Sequence, residues 1–455
     1  MSRIPEGLTL GLDALYNPAL LGEHAVGLGR SLRRSLAERL LGLLTRLGGD
    51  GAPQHQLVLG ARGAGKTMLL RTLRQAILDD KELARRWLPL TFPEAQWDVT
   101  RPSDLWENAL DYLMVVLERA DPKAGPAEAR RIAAAIRELP EDEDARQKAS
   151  LSLLIGESER LGRRFVLLVD TLDVVLDRLK KDQWHIREVL SAEPRLLVIG
   201  TSARAIEATY RYDAAFYDFF QLHELRPLLR PGLLEAVGRL DGGSLKEALL
   251  AFAQVAPAEL EACLDLLGTQ PRTLSLIARA FETLEPGPGL ASQVVLLVLD
   301  ALTPTMMARM EALAPQSQTV VHALATLWHP ARPQEVAQRA RLSPNVVSAQ
   351  LHRLVQEGIV EKVPYPPGAR QAVILSDRLM SVWLLMRLGQ PHRRRLIAAS
   401  TALALVHGGS EADLRTVLPD ELTTLDPVDR FARIAPELVK LAESRRFPYT
   451  APRND

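Results

Sequence analysis

Eight consecutive residues, Gly60-Ala61-Arg62-Gly63-Ala64-Gly65-Lys66-Thr67, constrain this chain more than any other stretch. They fit G-x-x-x-x-G-K-[ST] in full. They also lie between a short apolar run, Gln56-Leu57-Val58-Leu59, and a helical pattern from Met68 to Leu78. A strand that turns through glycines into a helix aims backbone N–H groups and the positive end of that helix at one point, which is what a bound phosphate needs. The spacing assigns Lys66 to the β- and γ-phosphates and the Thr67 hydroxyl to Mg²⁺, a hard cation that shares oxygen ligands with nucleotide and water. Gly60, Ala61, Arg62, Gly63, Ala64, Gly65, Lys66, Thr67 and Met68 are therefore the candidate nucleotide-binding residues.

What surrounds this loop sets the fold class. Apolar runs at Trp87–Phe92, Phe165–Val169 and Leu196–Gly200 alternate with helical patterns, and such alternation implies an α/β core. Its mostly parallel sheet is covered on both faces and binds ligands at the carboxyl ends of the strands. The run Phe165-Val166-Leu167-Leu168-Val169 ends on Asp170, where a carboxylate can stand near the metal, so Thr67 and Asp170 are the candidate Mg²⁺ ligands. Asp173 either assists that shell or caps a helix. An earlier helix is expected between Leu32 and Leu47, from Leu36, Leu40, Leu43 and Leu47. Ala120–Gly162, rich in Glu and Arg, reads as a charged helical excursion with a solvated surface. Strand signals cease after about residue 224.

The stretch Leu59–Leu70, together with Phe165–Asp170, resembles the P-loop ATPases of the AAA+ origin-initiator and STAND signalling branches. That resemblance implies ATP and Mg²⁺ as cofactors, and adenine over guanine. It also implies two sensors. Leu196–Ser202 is similar to the strand that places a polar residue, here Thr201, between the phosphate loop and the acid strand. Gly268-Thr269-Gln270-Pro271-Arg272 is similar to the lid motif, with Arg272 on phosphate. The candidate catalytic residues are thus Lys66, Asp170, Asp173, Thr201 and Arg272. In hydrolysing members a glutamate commonly follows the metal-linked acid, whereas here Thr171 follows Asp170, so binding with slow hydrolysis is expected. Arg204 and Arg211 are either ordinary surface arginines or the source of an arginine finger between subunits.

From Ser317 to Leu388 the pattern is three helices and a hairpin, and it resembles the winged-helix domain that follows the ATPase core in those families. Asn345, Ser348, Gln350, His352, Arg353 and Gln356 would face DNA, with Arg370 on the wing; docking of a protein is the alternative use of the same fold. The basic run His392-Arg393-Arg394-Arg395 is either a nucleic-acid contact or a solvated helix start. With 56 basic against 56 acidic side chains, any nucleic-acid surface is a local patch. The single cysteine, Cys263, excludes an intramolecular disulfide. The runs Val294–Leu299 and Leu396–Val406 are shorter than the ~20 residues of a membrane span, and Met1–Leu10 lacks the pattern of a signal peptide. A cytoplasmic protein without membrane contact is expected.

The expected order is an N-terminal helical segment (1–50), a P-loop ATPase core (51–224), a helical lid (225–300), a winged-helix domain (301–390) and a helical tail (391–455). The corresponding activity is an ATP-binding switch that couples ATP or ADP state to a protein partner or to self-oligomerisation. A DNA-binding initiator or loader and a nucleotide-binding scaffold without turnover are the alternatives.

Overall fold

The structure is a computed structural model. It describes residues 33–47, 52–92 except 62, 98–226 except 204, 205 and 211, then 228, 233–238, 244–327 except 288, 330–364 and 371–387, and most positions between 396 and 408. They fall into two compact units, within Ala25–Arg226 and from Pro227 onward.

The first unit is a three-layer α/β sandwich. Helix α1 (Arg34–Arg46) precedes β1 (His55–Gly60), which turns into α2 (Lys66–Asp79); α3 (Lys81–Arg86) leads into β2 (Trp87–Phe92). Helices α4 (Pro102–Ala120), α5 (Gly125–Arg137) and α6 (Glu143–Leu161) come before β3 (Arg164–Val169). Then α7 (Leu172–Arg178) and α8 (Gln183–Ala192) lead to β4 (Leu196–Ser202) and β5 (Phe220–Leu225). The strands are parallel in the order β2-β3-β4-β1-β5.

Successive side chains of a strand point to opposite faces, and β3 shows how that builds two cores. Phe165, Leu167 and Val169 join Trp106, Leu110, Ile132 and Leu154 on one face. Val166 and Leu168 join Leu36, Leu40, Leu44, Leu69 and Leu73 on the other. The spacing of Leu36, Leu40 and Leu44 is the four-residue repeat of one helix face, which seats α1 on the same core as α2.

Two differences from the sequence reading concern this unit. The charged stretch before β3 is more than a solvated surface, because Ile132 of α5 and Leu154 of α6 are fully buried under α4. Its charges tie the outer helices together: Glu157, nearly buried, accepts from Arg131 (2.6 Å) and Arg160 (2.9 Å). β5 is a fifth strand that the sequence reading omits. It is an edge strand with Gln221, Leu222 and Glu224 exposed, so it lacks the continuous apolar run that betrays the inner strands.

After a short helix at Leu233–Gly238, the second unit continues with α9 (Ser244–Val255), α10 (Pro257–Leu267), α11 (Pro271–Glu282) and α12 (Leu290–Glu311). Helix α12 is long and apolar enough, by length and composition, to cross a membrane, which corrects the reading that such runs are too short. Val294, Val295, Val298 and Leu299 are fully buried against protein, as in the core helix of a globular domain. It runs without interruption across position 300. Next come α13 (Pro315–Leu327), α14 (Pro333–Ala340) and α15 (Pro344–Gln356). An antiparallel ribbon, β6 (Val360–Pro364) with β7 (Gln371–Leu375), follows, and then α16 (Arg378–Arg387). Ala331 pairs with Val373 through a single antiparallel bridge beside the ribbon. Trp383 Nε1 donates to Thr303 Oγ1 (3.0 Å) and Arg309 pairs with Asp377 (2.5 Å), so α16 is fastened to α12.

Candidate nucleotide site

The loop between β1 and α2 is shaped by its glycines. Gly63 and Gly65 have φ of 84° and 94°, in the left-handed region that other residues avoid. A Cβ on Gly60 would lie 2.9 Å from Leu225 Cβ and 3.3 Å from Ala64 Cβ, so only glycine lets the loop fold over the end of β1. Lys66 opens α2 and is largely buried; its Nζ donates to Gly60 O (2.7 Å) and Ala61 O (3.1 Å). An ammonium held over the loop's own carbonyls stands where phosphate oxygens would replace them.

Asp170 is the centre of the constellation. It follows β3 and is 3% exposed. Its Oδ2 accepts from Thr67 Oγ1 at 2.5 Å, across 103 residues of sequence. Its Oδ1 accepts from Thr201 Oγ1 and from Thr171 N (3.1 Å). Sheet order explains the meeting. β4 lies between β1 and β3, with Thr201 opposite Val58 and Gly200 opposite Val169, so the ends of three adjacent strands converge. Gly200 permits this closeness, since a Cβ there would meet Leu172 Cδ2 at 2.3 Å and Leu172 Cβ at 3.0 Å. Thr171 stands in the left-handed region (φ 53°), a costly conformation for a β-branched residue, held by its N–H bonds to Asp170 and Thr201 Oγ1.

The structure thus brings together Gly60, Ala61, Gly63, Ala64, Gly65, Lys66, Thr67, Asp170 and Thr201, with Met68 in the first turn of α2. Asp173 is buried in the first turn of α7, one turn beyond Asp170. Arg272 belongs to the second unit, in the first turn of α11. Arg62, Arg204, Arg211, Arg370 and His392–Arg395 lie outside the described residues. On α15, Asn345, Ser348, His352, Arg353 and Gln356 are exposed. Two of the DNA-facing candidates already have partners: Gln350 bonds Ser317 (2.7 Å) and Gln316 (3.2 Å), and Arg353 bonds Glu357 (2.8 Å).

Two cations at the site escaped the sequence reading. Arg33, at the start of α1, donates through Nε (3.2 Å) and Nη2 (3.1 Å) to Ala64 O, bracing the loop from outside. Nothing local to Arg33 signals a partner 31 residues away. Arg71 lies one helical turn after Thr67, a spacing that places both on one face and was available from the sequence. Burial, and then the charge of Arg74, lower the Arg71 pKa, while Asp170 opposes them.

The residues fit a magnesium–nucleotide. Glycine leaves space and N–H groups at the loop, and a threonine hydroxyl and a carboxylate oxygen share one point. Among the described residues no cluster of His, Cys, Asp and Glu forms a protein-only metal site.

Comparison with known proteins agrees on the core. Residues 32–199 match the family described as AAA ATPase domain. No curated protein matches. Among solved structures, the chain is similar to the Aeropyrum pernix ORC1 protein in complex with DNA, at 15% identity and TM-score 0.40, covering 78% of this chain and 92% of that one. It is also similar to Cdc6p from Pyrobaculum aerophilum (13%, TM-score 0.35, 82% and 93%). The Thermotoga maritima RuvB Holliday junction branch migration motor is a third (14%, TM-score 0.34, 76% and 91%). Through residues 32–199 the chain is thus similar to the AAA ATPase domain family.

Proposed function

We propose that the protein is an ATP-dependent switch: ATP with Mg²⁺ binds at Gly60–Thr67, and the bound state alters how the second unit engages a protein partner or another copy of the chain. The observation that carries this reading is the convergence of Thr67, Asp170 and Thr201 beside the glycine loop. Loop N–H groups and Lys66 hold the phosphates, with Arg33 fixing the loop. Thr67 and Asp170 hold the metal, which when bound neutralises charge on the β- and γ-phosphate oxygens. Thr201 orients Asp170 and faces the γ-phosphate.

Hydrolysis in this reading is slow. Thr171 stands where a water-orienting glutamate commonly does, and its hydroxyl is no strong base. Asp173, buried one turn beyond Asp170, is the alternative carboxylate. Arg272 serves as the lid's phosphate sensor. A nucleotide shifts such a switch only through its different affinities for the two states, so slow turnover suits a long-lived signal. The same reading places the protein in the cytoplasm.

A second reading, a DNA-binding initiator, is favoured by the exposed polar face of α15, Asn345, Ser348, His352 and Gln356, in the helix that a winged-helix domain lays in the major groove. The primary test is ATP binding and single-turnover hydrolysis with Mg²⁺ in wild type, Lys66→Ala and Asp170→Asn protein. No ATP binding by wild type would overturn the switch. Salt-dependent duplex binding, weakened by His352→Ala and Arg353→Ala, would favour the initiator.

A further inference from the structure

A second cation-rich site lies at the opposite ends of the strands in the ATPase unit's sheet. The segments that lead into β2, β3 and β4 each bring arginine: Arg85 and Arg86, Arg163 and Arg164, and Arg195. These strands are neighbours, with Trp87 opposite Arg164 and Phe165 opposite Leu196, so their starting ends stand about 5 Å apart. The five arginines line one cavity of about 520 Å³ whose lining contains no acidic residue. The glycine loop is at the far ends of these six- and seven-residue strands, roughly 20 Å away.

The arginines are set for a ligand more than for each other. Arg86 donates to the main-chain carbonyls of Thr45 (3.0 Å) and Leu47, which fix its guanidinium without neutralising it. The Arg164 guanidinium lies over the Trp87 ring at 5.7 Å. Arg85 and Arg195 pair with solvent-exposed acids, Glu82 (3.2 Å) and Glu159 (3.4 Å), and such pairs exchange readily. The planar fork of arginine matches phosphate oxygens two at a time, and a phosphate can displace the exposed Glu82 and Glu159 carboxylates from Arg85 and Arg195.

We propose that this cavity binds a small ligand carrying two or more adjacent phosphates. One phosphate occupies one or two guanidinium forks, and this cavity offers forks from three strand starts. Its volume lies in the range of small-molecule sites, of order 300–1,000 Å³. Trp87, the aromatic ring beside it, is fully buried beneath Arg164, so the site reads phosphate and presents no open ring for a base.

The test is calorimetric titration of the full chain with inorganic pyrophosphate, the nucleotide site first saturated with a non-hydrolysable ATP analogue and Mg²⁺. One pyrophosphate per chain is expected to bind. The double variant Arg163→Ala/Arg195→Ala should weaken it about tenfold or more while the affinity for the ATP analogue stays unchanged. Arg163→Lys/Arg195→Lys, which keeps charge and loses the fork, should fall between, and circular dichroism verifies that each variant is folded. The same titration on Lys66→Ala protein without nucleotide makes the result independent of the nucleotide site. Absence of a second binding event, or equal affinity in the alanine variant, overturns the proposal. So does a single-stranded oligonucleotide that binds these arginines more tightly than pyrophosphate, since the site would then serve a nucleic-acid backbone.

Discussion

In the proposed switch Lys66 holds phosphate and Asp170 the metal, and substitution should separate these roles. Lys66→Ala removes a charge-assisted contact to phosphate worth about 1.5–3 kcal/mol, so ATP affinity should fall by about ten- to a hundredfold in a binding titration. Asp170→Asn keeps the shape and a partner for Thr67 but loses the anionic metal ligand; nucleotide should still bind, with single-turnover hydrolysis reduced by about a hundredfold or more. Gly60→Ala tests packing. Its Cβ would press on Leu225 Cβ and Ala64 Cβ, and chemical denaturation of the ATPase unit should show a loss of about 1–3 kcal/mol. The glycines, Lys66 and Thr67 were legible in the sequence because a phosphate cradle needs those residue types at fixed intervals in one short segment. The resemblance already placed Thr201 between the phosphate loop and the acid strand, but its bond to Asp170 joins separate strands and depends on sheet order. Arg33 was illegible for the same reason, its partner being a main-chain carbonyl that has no sequence signature.

At the scale of elements, β1 carries a pH dependence. His55 is buried where β1 enters the sheet; its Nδ1 accepts from Val198 N (3.0 Å), and its Nε2 therefore donates to Leu190 O (3.1 Å). Burial lowers its pKa from 6.5 to about 4, against the weaker raising effect of the Leu190 carbonyl. A histidine whose folded pKa lies below its unfolded one takes up its proton more readily when unfolded. Its contribution is therefore intact above pH 6.5 and is lost progressively as pH falls toward 4. Full loss is about 3 kcal/mol. Denaturant unfolding between pH 7 and pH 4.5 should show this decline, and His55→Gln should flatten it. Inner strands such as β3 and β4 were legible because both faces are buried and their sequences run apolar throughout. β5 was not, since an edge strand half in water needs only Phe220, Leu225 and a partner. Likewise the charges of α5 and α6 hid their inward faces, where Ile132 and Leu154 complete the core.

At the scale of the molecule, the proposed switch divides after Arg226, with nucleotide binding assigned to the first unit and response to the second. Both hydrophobic cores beside the sheet are built from residues between Leu36 and Leu225, so the first unit has the burial needed to fold alone. A fragment spanning residues 25–226 should therefore unfold cooperatively and bind ATP with an affinity within about tenfold of the full chain. The second unit, with Arg272 at the start of α11, is where a nucleotide signal would be read. If ATP binding favours one state of the second unit, removing that unit changes ATP affinity. An ATP affinity identical in fragment and full chain would therefore deny the switch its coupling, while leaving the P-loop assignment untouched. Hydrogen exchange supplies the independent measure. In full-length protein, ATP should slow amide exchange along α11, and Arg272→Ala should abolish that protection while loop amides around Gly63 and Gly65 remain protected. If exchange along α11 is indifferent to nucleotide, Arg272 is no sensor and the two units answer to separate ligands.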